Sequence, residues 1–186
     1  MLAPLDQGLT KFGEEIIALN NKYGVITDLS HLGMRSFWEV LERATYVFAS
    51  HSNLYTVCPH RRNLTDIQLH SLFAKGGHVH FCFYPPFIDL TGKDSLDALI
   101  QHFIYVSKIK GGAQVGFGSD FDGIDRHLSA LSNPSYYVSF INRLGRYFTE
   151  AEVEGFAYRN FLRFLGGIKQ EEFVDESYYW NYSIDD

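Results

Sequence analysis

Four short apolar runs set the limits on what this chain can fold into: VITDL (25–29), TYVFAS (45–50), HVHFCFY (78–84) and AQVGFGSDF (113–121). Each is rich in β-branched or aromatic residues and nearly continuous in its apolar character, the pattern of a strand buried on both faces. The segments between them carry helical spacing instead. Thr10 is placed to cap a helix over 11–23 with Phe12, Ile16 and Leu19 on one face, and Gly24 ends it. Residues 34–43 form the next helix, and a helix near 65–75 ends at Gly76-Gly77. Pro85-Pro86 stops the third strand, and residues 94–109 repeat apolar positions at Leu96, Leu99, Ile100, Phe103 and Val106. Helices near 135–145 and 149–164 close the chain, the latter opened by the capping box Thr149–Glu152. Strands alternating with helices predict an α/β fold with a parallel sheet covered on both faces.

A length of 186 residues suits one domain or one large piece of a bigger one, here 1–186 with a C-terminal tail over 166–186. Hydrophobic residues make up 46% and charged residues 20%, enough to bury a core. The net charge of −6 gives no electrostatic footing for nucleic acid. No apolar run has the length of a membrane span, and MLAPLDQGLTKFGEE has no signal-peptide pattern. Cys58 and Cys82 form no CxxC pair, which suits a reducing compartment, so a cytoplasmic chain is expected. The segment 173–186 is acidic and aromatic, without a period.

In parallel α/β folds, ligands bind beyond the carboxyl ends of the strands. There the first strand offers Asp28 and His31, the second Ser50, His51 and Ser52, and the fourth Ser119, Asp120 and Asp122. A single histidine at a strand end is an ordinary hydrogen-bonding residue. Two on neighbouring strands beside an acid make a ligand set suited to zinc. His60, His70, His78, His80, His102 and His127 have no such setting and are read as structural or surface residues. Asp122-Gly123 reads equally well as a turn. Arg61-Arg62 are either solvated charges or a bidentate grip for a carboxylate. Ser50 and His51 adjoin on a strand, so their side chains should diverge, which argues against a Ser/His/Asp triad. GFGSDFDG lacks both the GxGxxG spacing and the Walker lysine of a phosphate loop.

Taken in order, GLTKFGEEIIALNNKYGVITDLSH, ASHSNLYTVCPHRRNLTD, VGFGSDFDG and FAYRNFLRFL resemble the membrane (renal) dipeptidase family of zinc metallopeptidases. The resemblance implies a (β/α)8 TIM barrel of the amidohydrolase kind, with two Zn2+ ions activating a bridging water for attack on a dipeptide. By motif, His31 and His51 resemble the histidine ligands of the second metal. Asp120 resembles the acid beside the bridging water, and Arg62 the arginine that binds the substrate's C-terminal carboxylate. Tyr84 and Phe87 fall in the segment lining the substrate pocket. The family's His-x-Asp pair, its bridging glutamate and a histidine near the substrate have no counterpart in this sequence.

The resemblance therefore implies a C-terminal half-barrel, the last four βα units, with at most one zinc held by this chain alone and weak or absent dipeptidase activity. VITDL and VGFGSD become open edges, so a homodimer or a missing N-terminal half is expected as partner. The alternative is a non-catalytic half-barrel that binds a metal or a partner. Deamination or lactone hydrolysis on the same scaffold is a third possibility, against which the RRN segment argues.

Overall fold

A computed structural model describes residues 6–168; the 173–186 segment, and with it most of the expected tail, lies outside the described residues. The elements alternate as expected: α1 (Lys11–Lys22), β1 (Thr27–Asp28), α2 (Met34–Arg43), β2 (Val47–Ala49), α3 (Asp66–Ala74), β3 (His78–Phe81), α4 (Pro85–Ile88), α5 (Leu96–Lys108), β4 (Val115–Phe117), α6 (Tyr137–Leu144), α7 (Glu150–Glu154) and α8 (Asn160–Gly166). The four strands lie in the order β1-β2-β3-β4, every pair parallel. The sheet is not closed, so β1 and β4 are its edges.

Local chemistry accounts for most boundaries. The Thr10 hydroxyl accepts from Gly13 N–H at the start of α1, and Gly24 (φ 64) turns the chain out of it. Capping boxes open α3 at Thr65/Gln68 and α7 at Thr149/Glu152. Two boundaries differ from the sequence expectation. The third strand ends at Phe81, short of Pro85-Pro86, which instead begin α4, where a missing N–H costs nothing. The helix expected over 149–164 is interrupted by a π-helical segment at Gly155–Arg159. This turns Asn160 inward, where its Nδ2 donates to Gly112 O (2.8 Å) and Val115 O (2.9 Å), tying α8 to β4.

Side chains alternate across the sheet. Val47, Ala49, Val79, Phe81 and Val115 are buried beneath the helices, with Phe81 edge-on to Phe103 of α5 at 4.7 Å. His78, His80 and Phe48 face the other way, where Phe161 and Phe164 of α8 cover them: Phe48–Phe161 at 6.0 Å, His80–Phe161 at 4.9 Å, His78–Phe164 at 4.6 Å. The inner face is therefore partly lined by aromatic rings rather than left bare. On α1, Phe12, Ile16 and Leu19 do share a face, but that face is open, at 69%, 39% and 46% exposure; Ile17 is the residue that packs inward.

His102, read from sequence as structural or surface, lies in the core and accepts from Leu54 N–H (3.2 Å) through Nδ1. Burial holds the imidazoles of His78 and His80 down at about 4 and that of His102 at about 3. The folded rings stay neutral where those of the unfolded chain take up protons, so this stability is present above about pH 6.5 and lost on acidification. The unfolding free energy from urea titrations should fall between about pH 6.5 and 4, by up to roughly 1.4 kcal/mol per pH unit for each histidine; equal midpoints at the two ends of that range would contradict neutral burial.

Candidate functional site

The carboxyl ends of β1 and β2 are joined by one carboxylate. Asp28 Oδ1 accepts from the backbone N–H groups of Ser30 and Ser50, both at 3.0 Å, and Oδ2 accepts from the Ser50 hydroxyl at 2.5 Å. The Ser30 hydroxyl oxygen accepts from His51 N–H (3.1 Å) and lies 2.9 Å from the Ser52 hydroxyl. The two Ser-His turns are thus stitched together, and His31 Nε2 comes 2.7 Å from His51 Nε2, with ring centroids 4.7 Å apart. His31 adopts a left-handed backbone (φ 70), an arrangement the surrounding bonds must hold in place.

One sequence expectation is overturned here. Ser50 and His51 do not diverge: Ser50 Oγ lies 2.7 Å from His51 Nδ1, because β2 has ended at Ala49 and strand alternation no longer applies. The order Asp28–Ser50–His51 still places serine between acid and imidazole, so it is not a nucleophile triad.

Asp120 follows β4 and is also left-handed (φ 58). A Cβ at Gly123 would run into its carboxylate, so glycine there is what lets the turn close on Asp120. Asp122 is exposed, in keeping with the turn reading. The residue types alone left Arg61 and Arg62 undivided, and only the family resemblance singled out Arg62; the structure separates them. Arg61 is exposed, whereas Arg62 is half-buried, its guanidinium 5.5 Å over the Phe87 ring and its Nη2 buried with no partner. Burial lowers the Arg62 pKa, opposed by the Cys82, Asp120 and Asp28 groups. Burial also lowers that of His31, aided by the Arg62 charge and the neighbouring His51 ring and opposed by Asp120 and Asp28. His31, His51, Arg62 and Asp120 therefore share one electrostatic environment.

Phe87 and Tyr84 form the adjoining wall, edge to face at 4.8 Å. His60 supports it: its ring is 4.7 Å from Phe87, and its Nδ1 accepts from Arg62 N–H (3.2 Å). Two buried amides fasten the wall in place. Asn63 Nδ2 donates to Phe87 O at 2.8 Å and Asn53 Nδ2 to Cys82 O at 3.0 Å. The Tyr84 phenol bonds Asp125, which raises its pKa. Asn53, Asn63 and Asp125 escaped the sequence reading, since nothing in their local pattern marks contacts made across loops.

The His31–His51 pair fits a metal ion as two of its ligands: both Nε2 atoms converge, and ligand nitrogens ~2.0–2.1 Å from a tetrahedral ion lie ~3.3 Å apart, a small opening from 2.7 Å. Among the described residues, however, no group of three or more His, Cys, Asp or Glu side chains comes together to hold an ion. Asp120 does not complete the His2Asp set that the sequence suggested. A cavity of about 440 Å³ opens at the opposite end of the sheet, lined by Thr45, Lys75, His78 and Arg163 among others, and includes none of the site residues.

Known proteins share the family and the fold of this chain. The family model described as membrane dipeptidase (peptidase family M19) matches residues 2–177. An uncharacterized dipeptidase of Schizosaccharomyces pombe is 36% identical over 164 residues, covering 85% of this chain and 39% of its own length. The dipeptidase aclJ of Aspergillus oryzae is 35% identical over 171 residues, covering 89% and 40%. Among solved structures, the metallo peptidase dipeptidase AC of family M19 superposes with a TM-score of 0.80 at 27% identity, covering 87% of this chain and 49% of its own. A metallo peptidase from Rhodobacter sphaeroides, liganded with a phosphinate mimic of the dipeptide L-Ala-D-Ala, gives 0.77 at 27% identity, covering 87% and 48%. The chain thus spans about two fifths of these curated relatives and about half of these structures.

The rim depends on Gly118, where a Cβ would fall on the Ser50 carbonyl oxygen and within 2.9 Å of both His80 Cβ and His80 O. Gly118→Ala should destabilise the protein by about 2–4 kcal/mol, read as a lowered urea midpoint. An unchanged midpoint would mean that the ends of β2, β3 and β4 do not pack as described.

Proposed function

The chain belongs to the membrane dipeptidase family, peptidase family M19, and from that premise we propose that it is the C-terminal half of a zinc-dependent dipeptidase. The observation that carries this reading is the convergence of His31, His51, Arg62 and Asp120 on one rim of a parallel sheet. The substrate class is a dipeptide with a free C-terminus. Arg62 suits its carboxylate: a half-buried guanidinium whose buried Nη2 has no partner can donate to an anion. Tyr84 and Phe87 supply an apolar wall beside it. Asp120 is the acid that takes a proton on a carboxylate oxygen from the attacking water and returns it to the leaving amine. When bound, zinc supplies a water of lowered pKa and polarises the scissile carbonyl.

The donor set within the described residues stops at two imidazoles, so the remaining ligands are proposed to come from a second half-barrel. The open edges β1 and β4 and the exposed Phe12, Ile16 and Leu19 suit such a partner, either a second copy of this chain or an N-terminal half. The same incomplete donor set favours a second reading, in which this chain alone binds metal or partner without catalysis.

Metal analysis of the purified chain should find at most one zinc, lost in His31→Ala and in His51→Ala; unchanged content in both variants would remove the two residues from the ligand list. Sedimentation should show species heavier than the 21.3 kDa chain. A monodisperse monomer would count against self-association and leave the N-terminal half as the proposed partner.

A further inference from the structure

The hydrogen bonds at the rim allow the protons to be assigned one by one. An ionised carboxylate only accepts, so the single Ser50 hydroxyl proton is committed to Asp28 Oδ2 at 2.5 Å. Ser50 Oγ is then left with lone pairs alone, and its 2.7 Å contact with His51 Nδ1 requires that nitrogen to be the donor. A neutral imidazole carries one ring proton, so His51 Nε2 is bare. The carboxylate that starts this chain is itself anchored by two backbone N–H groups, those of Ser30 and Ser50.

We propose that Asp28 and Ser50 are positioning residues: the Asp28 carboxylate, acting through the Ser50 hydroxyl, locks His51 in its Nδ1–H tautomer and presents Nε2 as a ready electron-pair donor. This rests on the reading of His51 as a metal ligand. His51 is thereby preset to accept a cation. The arrangement differs from the usual support of a ligand histidine by a direct carboxylate or carbonyl, since here a hydroxyl is interposed.

The test is a long-range 1H–15N imidazole correlation spectrum of the full metal-free chain at about pH 8, above the ordinary imidazole range. The expected result is His51 protonated at Nδ1, with its Nε2 resonance shifted far downfield. Ser50→Ala should remove the acceptor and release His51 to the Nε2–H form. Ser50→Thr keeps the hydroxyl and should restore the native pattern, which a purely structural role for Ser50 would not require. Wild-type His51 found in the Nε2–H form would overturn the proposal, and that measurement decides it even if Ser50→Ala fails to fold. So would a folded Ser50→Ala protein with the tautomer unchanged. The spectrum is taken without metal or substrate, so the relay can fail while zinc uptake stands, and zinc uptake can fail while the relay stands.

Discussion

Because successive side chains of a strand point to opposite faces, β3 sends Val79 and Phe81 to one side and His78 and His80 to the other, and the two faces are covered by different means. The first face meets helices and forms the hydrophobic core. The second meets Phe161 and Phe164, carried there by α8. What brings α8 to this position is the inward turn of Asn160, bonded to Gly112 and Val115 on either side of the entry to β4. With both faces occupied, the strand ends are held level, and the residues that follow them can meet at the rim.

The sequence reading recovered the element order and the parallel sheet, because near-continuous apolar strands and amphipathic helices are local signals. It also placed His31, His51 and Asp120 at one end, since the carboxyl ends of parallel strands form a common rim; Arg62 was singled out by its resemblance to the family alone. What it could not read depends on geometry beyond the local pattern. The Ser50–His51 contact was misjudged because strand alternation was extended one residue past the end of β2. The π-helical segment leaves no periodicity signal, and the contact it serves, the reach of Asn160 to two carbonyls 45 and 48 residues away, is tertiary. The exposed stripe on α1 follows the expected spacing; only what lies against it differs.

Family membership and coverage bear on the same point from another side. A sheet of four parallel strands with two open edges superposes on about half of each related structure. The rim has the same character. It holds an imidazole pair, a guanidinium with a nitrogen still unpartnered and an acid in a left-handed turn, but no complete ligand cluster among the described residues. Arg62 shows how finely such a rim is set. Two adjacent arginines differ in fate because one is drawn over Phe87 and the other is not.

The strand pairing also bears on how the chain reaches this state. Thr27 pairs with Val47, Phe48 with His78 and Val79 with Val115, so the pairings close loops of 20, 30 and 36 residues in turn. No two strands meet through a tight turn, and each contact must repay the entropy of a long closure before the next can form. A search of this kind is slow, and it keeps the strand edges available to other chains while it proceeds. The β1–β2 pair has the shortest closure and is the one tied by the Asp28 carboxylate, so the bonds that shape the rim also fasten the pairing best placed to form early.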